Sequence, residues 1–316
     1  MRKLVAKVVV AAIAVLLLGA CGHQETLLSI AAGTNSGTWH PIGGAIGNLI
    51  NSHVAGVRVN VEATEGGVEN VRLLGTNQAD IGLCIAATAL NGYLGTSPYR
   101  QSFNDLRTLI SSFQLGYLHM VVLEESPLRS MEEIGGQRVA VGPSGHGSIP
   151  GQREIDREMG VAFENFTPIY LPFRDALQAL GDRRLDAAVL YQALPAPSLI
   201  EFGVIHQYRL FPVGQETREP LVSKYPYFVS AAIPKESYAL NQDVSTIAMA
   251  KVILVREGIP EEIVCQITRA ILEHLDEFRS AHPSIKDFKP EMAVLGNVLP
   301  YHPGAERYFR EIGLLE

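Results

Sequence analysis

The chain has 316 residues, of which 47% are hydrophobic and 19% are charged, and this composition excludes a disordered or membrane-embedded protein. The length is sufficient for two domains with complete hydrophobic cores. The formal net charge is -7, and no basic run follows Lys7. Nucleic acid is therefore not an expected partner, since phosphate binding requires clustered lysine and arginine.

The N-terminus has the pattern of an export signal. A basic start, MRKLVAK, precedes an apolar run over residues 8–18, which is shorter than the roughly 20 residues that cross a bilayer. The sequence LGAC that ends at Cys21 resembles a bacterial lipobox. We predict a lipoprotein signal peptide over residues 1–21 with Cys21 lipidated, so that the protein is extracytoplasmic or periplasmic and touches the membrane only through its lipid anchor. Plain signal cleavage is the alternative.

The first half of the mature chain alternates strands and helices, with a glycine-rich corner at residues 33–37. This β-α-β-α-β order implies a parallel sheet with helices on its faces. The predicted elements are a strand at 27–32, a helix at about 42–51, a strand at 57–63, a helix at 68–74 and a strand after Asp80.

The second half repeats this arrangement, with a glycine-rich corner at residues 142–147. Its predicted elements are strands at 138–141, 169–171 and 187–191 and helices at 149–159 and 175–180. Apolar stretches at 119–123 and 246–255 are expected to cross between the halves, and helices at 260–280 and 303–312 to pack on the first half. We predict one lobe from residues 27–118 plus 251–316 and a second lobe from residues 119–250.

Residues 74–83 and 180–189 follow one pattern with identical spacing, in which a helix ends at a glycine and an aspartate precedes a buried strand. Gly75 and Gly181 are predicted to take the left-handed conformation that ends many helices. Asp80 and Asp186 lie at the edge of the sheet opposite to the expected site and are interpreted as structural.

The glycine-rich corners are the best candidates for a ligand site. A helix N-terminus preceded by glycines presents free N–H groups and a partial positive charge, which suit a carboxylate, and residues after the strand ends lie where open α/β sheets bind ligands. The candidate residues are Thr34, Asn35, Ser36, Trp39, His40, Thr64, Gly66, Gly67, Ser144, Gly145, His146, Gly147, Ser148, Arg174, Tyr191 and Gln192. The alternative is that the glycines form tight turns, that Thr64 and Ser148 cap helices, and that Trp39 packs in the core.

The assembled motifs resemble the TAXI family, the solute-binding subunits of tripartite ATP-independent periplasmic (TRAP) transporters, over nearly the whole chain. They include Gly33-Thr34, His40-Pro41, Glu62-Ala63-Thr64, Val141-Gly142-Pro143, Leu185-Asp186-Ala187-Ala188, Lys224-Tyr225-Pro226-Tyr227 and His302-Pro303-Gly304-Ala305-Glu306-Arg307-Tyr308. The resemblance implies a type II periplasmic-binding fold, in which two α/β lobes joined by crossing strands close on an amino acid or dicarboxylate and deliver it to a TRAP permease.

One departure from the family pattern concerns the ligand. Ile85-Ala86-Ala87 stand where the family commonly has a polar run, which favours a less polar ligand, such as a monocarboxylate with a hydrocarbon or aromatic tail. We therefore predict a monomeric solute-binding protein for a small organic acid or amino acid. A lipoprotein that signals to a membrane sensor kinase is the alternative.

An exported enzyme is disfavoured by the motifs. A hydrolase that uses Ser144 or Cys84 would need a recognisable setting, but residues 142–146 lack the second glycine of the nucleophile elbow. Neither a P-loop lysine nor metal-ligand spacing of histidines is present, so we predict no metal and no cofactor. Cys84 and Cys265 are expected to be buried thiols, although export would permit a disulfide.

Overall fold

The structure is a computed structural model that describes residues 25–35, 38–143 and 147–316. The predicted signal peptide and Cys21 lie outside the described residues. The strands are β1 (Thr26–Gly33), β2 (Val57–Ala63), β3 (Ile81–Ile85), β4 (Leu106–Leu123), β5 (Arg138–Ala140), β6 (Thr167–Ile169), β7 (Ala187–Gln192), β8 (Tyr208–Phe211), β9 (Phe228–Ile233) and β10 (Val244–Arg256).

Helices cover both faces of the strands. They are α1 (Trp39–His53), α2 (Gly67–Gly75), α3 (Ala86–Leu94), α4 (Ile149–Glu158), α5 (Phe173–Gly181), α6 (Pro197–Ile205), α7 (Gln215–Lys224), α8 (Glu261–Glu273), α9 (Leu275–Ser280) and α10 (Pro303–Glu311). No helix in the described ranges is both long and apolar enough to span a membrane.

The strands form one sheet in the order β2-β1-β3-β10-β4-β7-β5-β6, with β8 paired to β4 and β9 paired to β10. The two outer trios are internally parallel, because β1 pairs with β2 and β3, and β5 pairs with β6 and β7, in parallel register. The long central strands β4 and β10 are antiparallel to each other. This is the predicted α/β architecture of two mostly parallel halves joined by crossing strands.

The crossing strands are longer than the sequence predicts. β4 begins at Leu106 and has 18 residues, whereas only its last five were expected to form a strand. Both predicted lobe boundaries, after residue 118 and after residue 250, fall inside β4 and β10. The division of the chain into two lobes therefore stays a prediction.

Several helices differ from the predicted pattern. α3 follows β3 directly at Ala86, and no glycine or proline marks the change, so the sequence gives no signal for its start. The predicted helix at 260–280 is two helices, since His274 between them has non-helical backbone angles of φ -115° and ψ 48°. α6 and α7 were not predicted.

The repeated segments have equivalent backbones, but their left-handed residue is not the glycine. Asn77 and Arg183 each have φ 58° and lie two positions beyond Gly75 and Gly181. The glycines provide space instead: a Cβ atom on Gly75 would lie 2.2 Å from the Phe103 ring. The predicted left-handed glycine caps are therefore wrong, because each helix continues through its glycine and turns afterwards.

The two aspartates are structural, as predicted. Asp80 accepts the backbone N–H of Ser29 at 2.8 Å and also pairs with Arg256. Asp186 accepts the backbone N–H of Arg138 at 2.8 Å and pairs with its guanidinium, which lowers the pKa of Asp186. Each carboxylate thus joins the start of its own strand to the parallel neighbour, in the middle of β1 for Asp80 and at the start of β5 for Asp186.

The two cysteines in the described part of the chain are free, as expected. Cys84 in β3 and Cys265 in α8 are both buried. Cys265 lies in the core that packs α1, α8 and α10 against the first half of the sheet, whereas Cys84 lies in the core that reaches across to the second half.

We predict that Gly75→Ala lowers the free energy of unfolding by about 1–3 kcal/mol, because the new methyl group overlaps the buried Phe103 ring. Gly44→Ala in α1 is the matched control, since nothing lies within 4 Å of a Cβ there, and alanine favours helix by about 0.5–1 kcal/mol. Urea titrations of both variants measure the difference. Equal effects of the two substitutions would contradict the close-packing role of Gly75.

Candidate functional site

A cavity of about 900 Å³ lies where the two halves of the sheet meet. Its walls include the carboxyl ends of β1, β3 and β7 and the starts of α1 and α2, and its floor includes residues of β4 and β10. Ligands of open α/β sheets bind at such strand ends, and the volume is within the range of small-molecule sites.

The structure brings part of the predicted site together on this wall. The predicted residues that line the cavity are Thr34, Trp39, Gly66, Gly67, Gly147, Tyr191 and Gln192. Ser36, Ser144, Gly145 and His146 lie outside the described residues.

Other predicted site residues do not line the cavity. Arg174 has 70% of its side chain exposed and pairs with Glu201 at 2.6 Å. The Thr64 hydroxyl donates to Asn70 Oδ1 at 2.5 Å and accepts the N–H of Gly66, so it shapes the turn before α2. The remaining residues in this group are Asn35, His40 and Ser148. Of these, Ser148 is fully buried and begins α4.

Two glycines allow the corners to approach the wall closely. A Cβ atom on Gly67 would lie 3.0 Å from Cys84 Cβ and 3.4 Å from the Trp39 ring. A Cβ atom on Gly147 would lie 2.8 Å from Thr88 Oγ1 and 3.1 Å from Ile85 Cδ1. Gly147 therefore rests directly on β3 and α3 of the first half, which leaves no space there for a larger residue.

A polar cluster occupies the floor of the cavity. Lys251 of β10 lies opposite Gln114 of β4, and its Nζ donates to Gln114 Oε1 at 2.5 Å. Trp39 Nε1 donates to the same oxygen at 3.4 Å, and its ring lies 5.9 Å from Nζ. Gln114 Nε2 in turn donates to Ser284 Oγ, which lies 2.8 Å from Nδ1 of His282. We call these five residues the Lys251 cluster.

The Lys251 cluster carries one positive charge at neutral pH. Burial lowers the pKa of Lys251 to about 8, so its ammonium is mainly protonated at pH 7. Burial and the charge of Lys251 together lower the pKa of His282, which leaves the imidazole neutral. Its Nδ1 accepts the N–H of Ser284 at 3.1 Å, which assigns the ring proton to Nε2. Lys251 forms no ion pair with any carboxylate of the described residues.

The other walls differ in polarity. The α2 side carries Glu65, Glu69 and Arg72, where Glu69 accepts the backbone N–H of Glu65 at 2.6 Å. Apolar side chains line much of the remainder, and they include Ile85, Phe173, Leu194, Pro195, Ile200 and Met249. Ile85, where the sequence departs from the TAXI pattern, thus contributes directly to the apolar surface of the cavity.

Sequence reasoning missed the Lys251 cluster apart from Trp39. One signal was available: Lys251 is the single charged residue in the apolar stretch 246–255, and a lysine in a buried strand requires a polar partner. Gln114 and Ser284 gave no comparable signal, because their roles depend on contacts with distant parts of the chain.

A second polar chain lies behind the wall formed by β7. The Tyr191 hydroxyl donates to Gln152 Oε1 at 2.8 Å, and Gln152 Nε2 donates to Asp156 Oδ1. Asp156 is fully buried, and its Oδ2 has no hydrogen-bond partner among the described residues. Burial raises the pKa of Asp156 to about 7. This carboxyl group therefore titrates near neutral pH.

The family is established by a match over residues 30–313 to the NMT1-like family model. The chain belongs to the NMT1-like family. Solved structures resemble this NMT1-like protein in fold. The periplasmic aliphatic sulphonate-binding protein SsuA of Escherichia coli matches with a TM-score of 0.51 and 15% identity, and the match covers 90% of this chain and 83% of that one.

Two further structures show a similar likeness. A sulfonate-binding protein of a putative sulfonate ABC transporter from Methylobacillus flagellatus KT has a TM-score of 0.53 and 11% identity, over 91% of this chain and 85% of that one. PhnD1 of Prochlorococcus marinus MIT 9301, in complex with methylphosphonate, also has a TM-score of 0.53 and 11% identity, and the match covers 93% of this chain and 100% of that one. The NMT1-like protein therefore has the predicted type II periplasmic-binding fold.

We predict that stability falls as the pH rises from about 4 to about 7, because the folded state holds the Asp156 proton more tightly than the unfolded state. Asp156→Asn is expected to reduce this slope and to raise the free energy of unfolding at pH 8 by up to about 4 kcal/mol, because the pKa rises from 3.8 to about 7 and one pKa unit corresponds to about 1.4 kcal/mol. Urea titrations at pH 5 and pH 8 provide the comparison. Parallel pH profiles of the variant and the parent would contradict the assignment.

Proposed function

We propose that this NMT1-like protein is an extracytoplasmic solute-binding protein that captures a small organic acid or amino acid and passes it to a membrane transporter. The observation that carries the proposal is the cavity between the halves of the sheet, with a buried, charged Lys251 on its floor and no carboxylate paired with it among the described residues. A buried unpaired charge is costly unless an opposite charge joins it. A ligand anion would supply that charge.

The architecture supports ligand capture rather than catalysis. Residues of both halves and of both crossing strands line a single cavity, and domain interfaces of this kind are common ligand sites. Burial raises the pKa of the Cys84 thiol, so the sulfur is protonated, whereas a nucleophilic cysteine requires a lowered pKa. The three neighbours above are named as binding proteins or solved with a bound ligand.

The transporter partner is proposed from the sequence motifs. The TAXI resemblance points to a permease driven by an ion gradient, whereas the sulfonate-binding neighbour from Methylobacillus flagellatus KT is named for an ABC transporter. We favour the TRAP partner because the motifs run through nearly the whole chain. The same proposal includes a lipid anchor at Cys21, a monomeric body and a division into the two lobes predicted above.

We predict a saturable rise in melting temperature when the purified full chain, freed of bound solute by dialysis, is titrated with organic acids and amino acids. A ligand at 100 times its Kd stabilises the folded state by about 2.7 kcal/mol. Trp39 is the single tryptophan and lines the cavity, so its fluorescence is expected to change over the same concentration range. No thermal or fluorescence response across a broad panel of both compound classes would contradict the proposal.

A transport assay distinguishes the two kinds of permease. Uptake of the identified solute into membrane vesicles, with this protein added, is expected to require an ion gradient and to proceed without ATP. Uptake that requires ATP and persists after the gradient is dissipated would replace the TRAP partner with an ABC partner. A solute that binds but is not transported would favour the sensing alternative.

A further inference from the structure

We infer that Lys251 is the anion-binding residue of the cavity and that the ligand is a singly charged organic anion, a carboxylate or sulfonate with an apolar body and no ammonium group. This inference rests on the proposed function and specifies its ligand. It is carried by the juxtaposition of one buried ammonium, a neutral polar cluster and an apolar wall.

Within the described part of the chain, the Lys251 ammonium makes fewer hydrogen bonds than it can. Lys251 Nζ has three N–H groups, and one donates to Gln114 Oε1. The stem of the side chain passes over Gly116 of the neighbouring strand, where a Cβ atom would lie 3.3 Å from Lys251 Cε. The described residues provide no acceptor for the other two N–H groups. A ligand oxygen in the cavity would complete the hydrogen bonding of Lys251.

The charges around the cavity favour a ligand with a single negative charge. Gln114 and Ser284 are neutral, and His282 is neutral with Nε2–H as a remaining donor. One positive charge therefore faces the head group, which matches one negative charge. The other charged residues of the described lining cancel in number, since Arg72 and Lys286 are positive and Glu65 and Glu69 are negative. A dicarboxylate would therefore bring one negative charge more than the lining matches.

A zwitterionic ligand does not suit the position beside Lys251. In an α-amino acid the ammonium lies within about 3 Å of the carboxylate, so it would approach Lys251 and be repelled by it. The carboxylates that line the cavity in the described residues are Glu69 of α2 and Glu65 of the turn before it, and neither of them pairs with Lys251. The apolar wall that includes Ile85, Phe173 and Met249 is suited to a hydrocarbon body instead.

The inference also predicts a pH dependence of binding. Glu65 faces the cavity from the turn before α2, and Glu69 and Arg72 face it from α2 itself. Tyr191 faces it from β7, and His282 and Lys286 face it from the segment after α9. Tyr191 has a pKa raised well above its ordinary value and His282 a lowered one, so both are neutral between pH 7 and 9. Lys251 loses its proton above about pH 8. Affinity for the anion is therefore expected to fall above that pH, approaching tenfold per pH unit.

The test is calorimetric titration of the detergent-solubilised full chain with four probes of similar size, namely valerate, butane-1-sulfonate, norvaline and glutarate. Valerate or butane-1-sulfonate is expected to bind at least tenfold more tightly than norvaline and glutarate. The tighter of these two probes identifies the head group. Lys251→Met, which keeps the length of the side chain and removes its charge, is expected to weaken binding of that probe about 100-fold.

Lys235→Met is the matched control, because this lysine is exposed and lies outside the described lining of the cavity. Its affinity is expected to equal that of the parent, and the melting temperatures of both variants show whether they are folded. If Lys251→Met does not fold, titration of the parent at pH 7, 8 and 9 tests the same residue. Affinity that stays constant over this range would overturn the inference.

The possible results distinguish failure of the proposed role of Lys251 from failure of the proposed solute-binding function. Tighter binding of norvaline or glutarate, or unchanged affinity in folded Lys251→Met, would overturn the role of Lys251 while the solute-binding function stands. Absence of binding by all four probes also overturns the inference. Only the absence of any ligand in the broader panel above would remove the proposed function as well.

Discussion

The antiparallel pairing of β4 with β10 is the constraint on which the rest of the structure depends. β3 hydrogen-bonds to β10 and β7 hydrogen-bonds to β4, so each parallel half of the sheet is completed by one of the two central strands. The same strands supply the cavity floor, where Lys251 and Gln114 are directly opposite each other. The pairing that joins the halves therefore also sets the position of the charged group between them.

An irregularity in this pairing lies beside the cavity. Lys251 pairs with Gln114, but Ile253, two residues further on, pairs with Ile110, so β4 contains extra residues over this interval. Ser112 within it has φ 22°, and its hydroxyl donates to the carbonyl of Leu295 at 2.7 Å. Bulges of this kind redirect side chains and bend strands, and they are common next to functional sites. Here the bulge also ties β4 to the C-terminal third of the chain, which contributes Ser284 to the floor.

Local patterns in the sequence were sufficient for the β-α units and for much of the cavity wall. Strand ends, glycine corners and helix starts are specified within a few residues, and Trp39, Gly67 and Tyr191, which were chosen from them, line one cavity. The floor could not be predicted in this way, because Lys251 and Gln114 are 137 residues apart and meet only through the register of a long strand pair. Gly75 was misassigned for a related reason: its role depends on Phe103, which no helix-ending pattern can reveal.

The placement of a cation on a strand shared by both halves relates the fold to ligand capture. Trp39, Gln114 and Ser284 come from separate parts of the chain, and their hydrogen bonds converge on the Gln114 amide, whose Oε1 also accepts from the Lys251 ammonium. With no anion beside it this charge opposes folding, because burial favours its neutral form. A bound anion would reverse that preference and would hold together the elements that surround it. The energetic cost of the buried lysine in the free protein is thus the source of its affinity for a ligand of opposite charge.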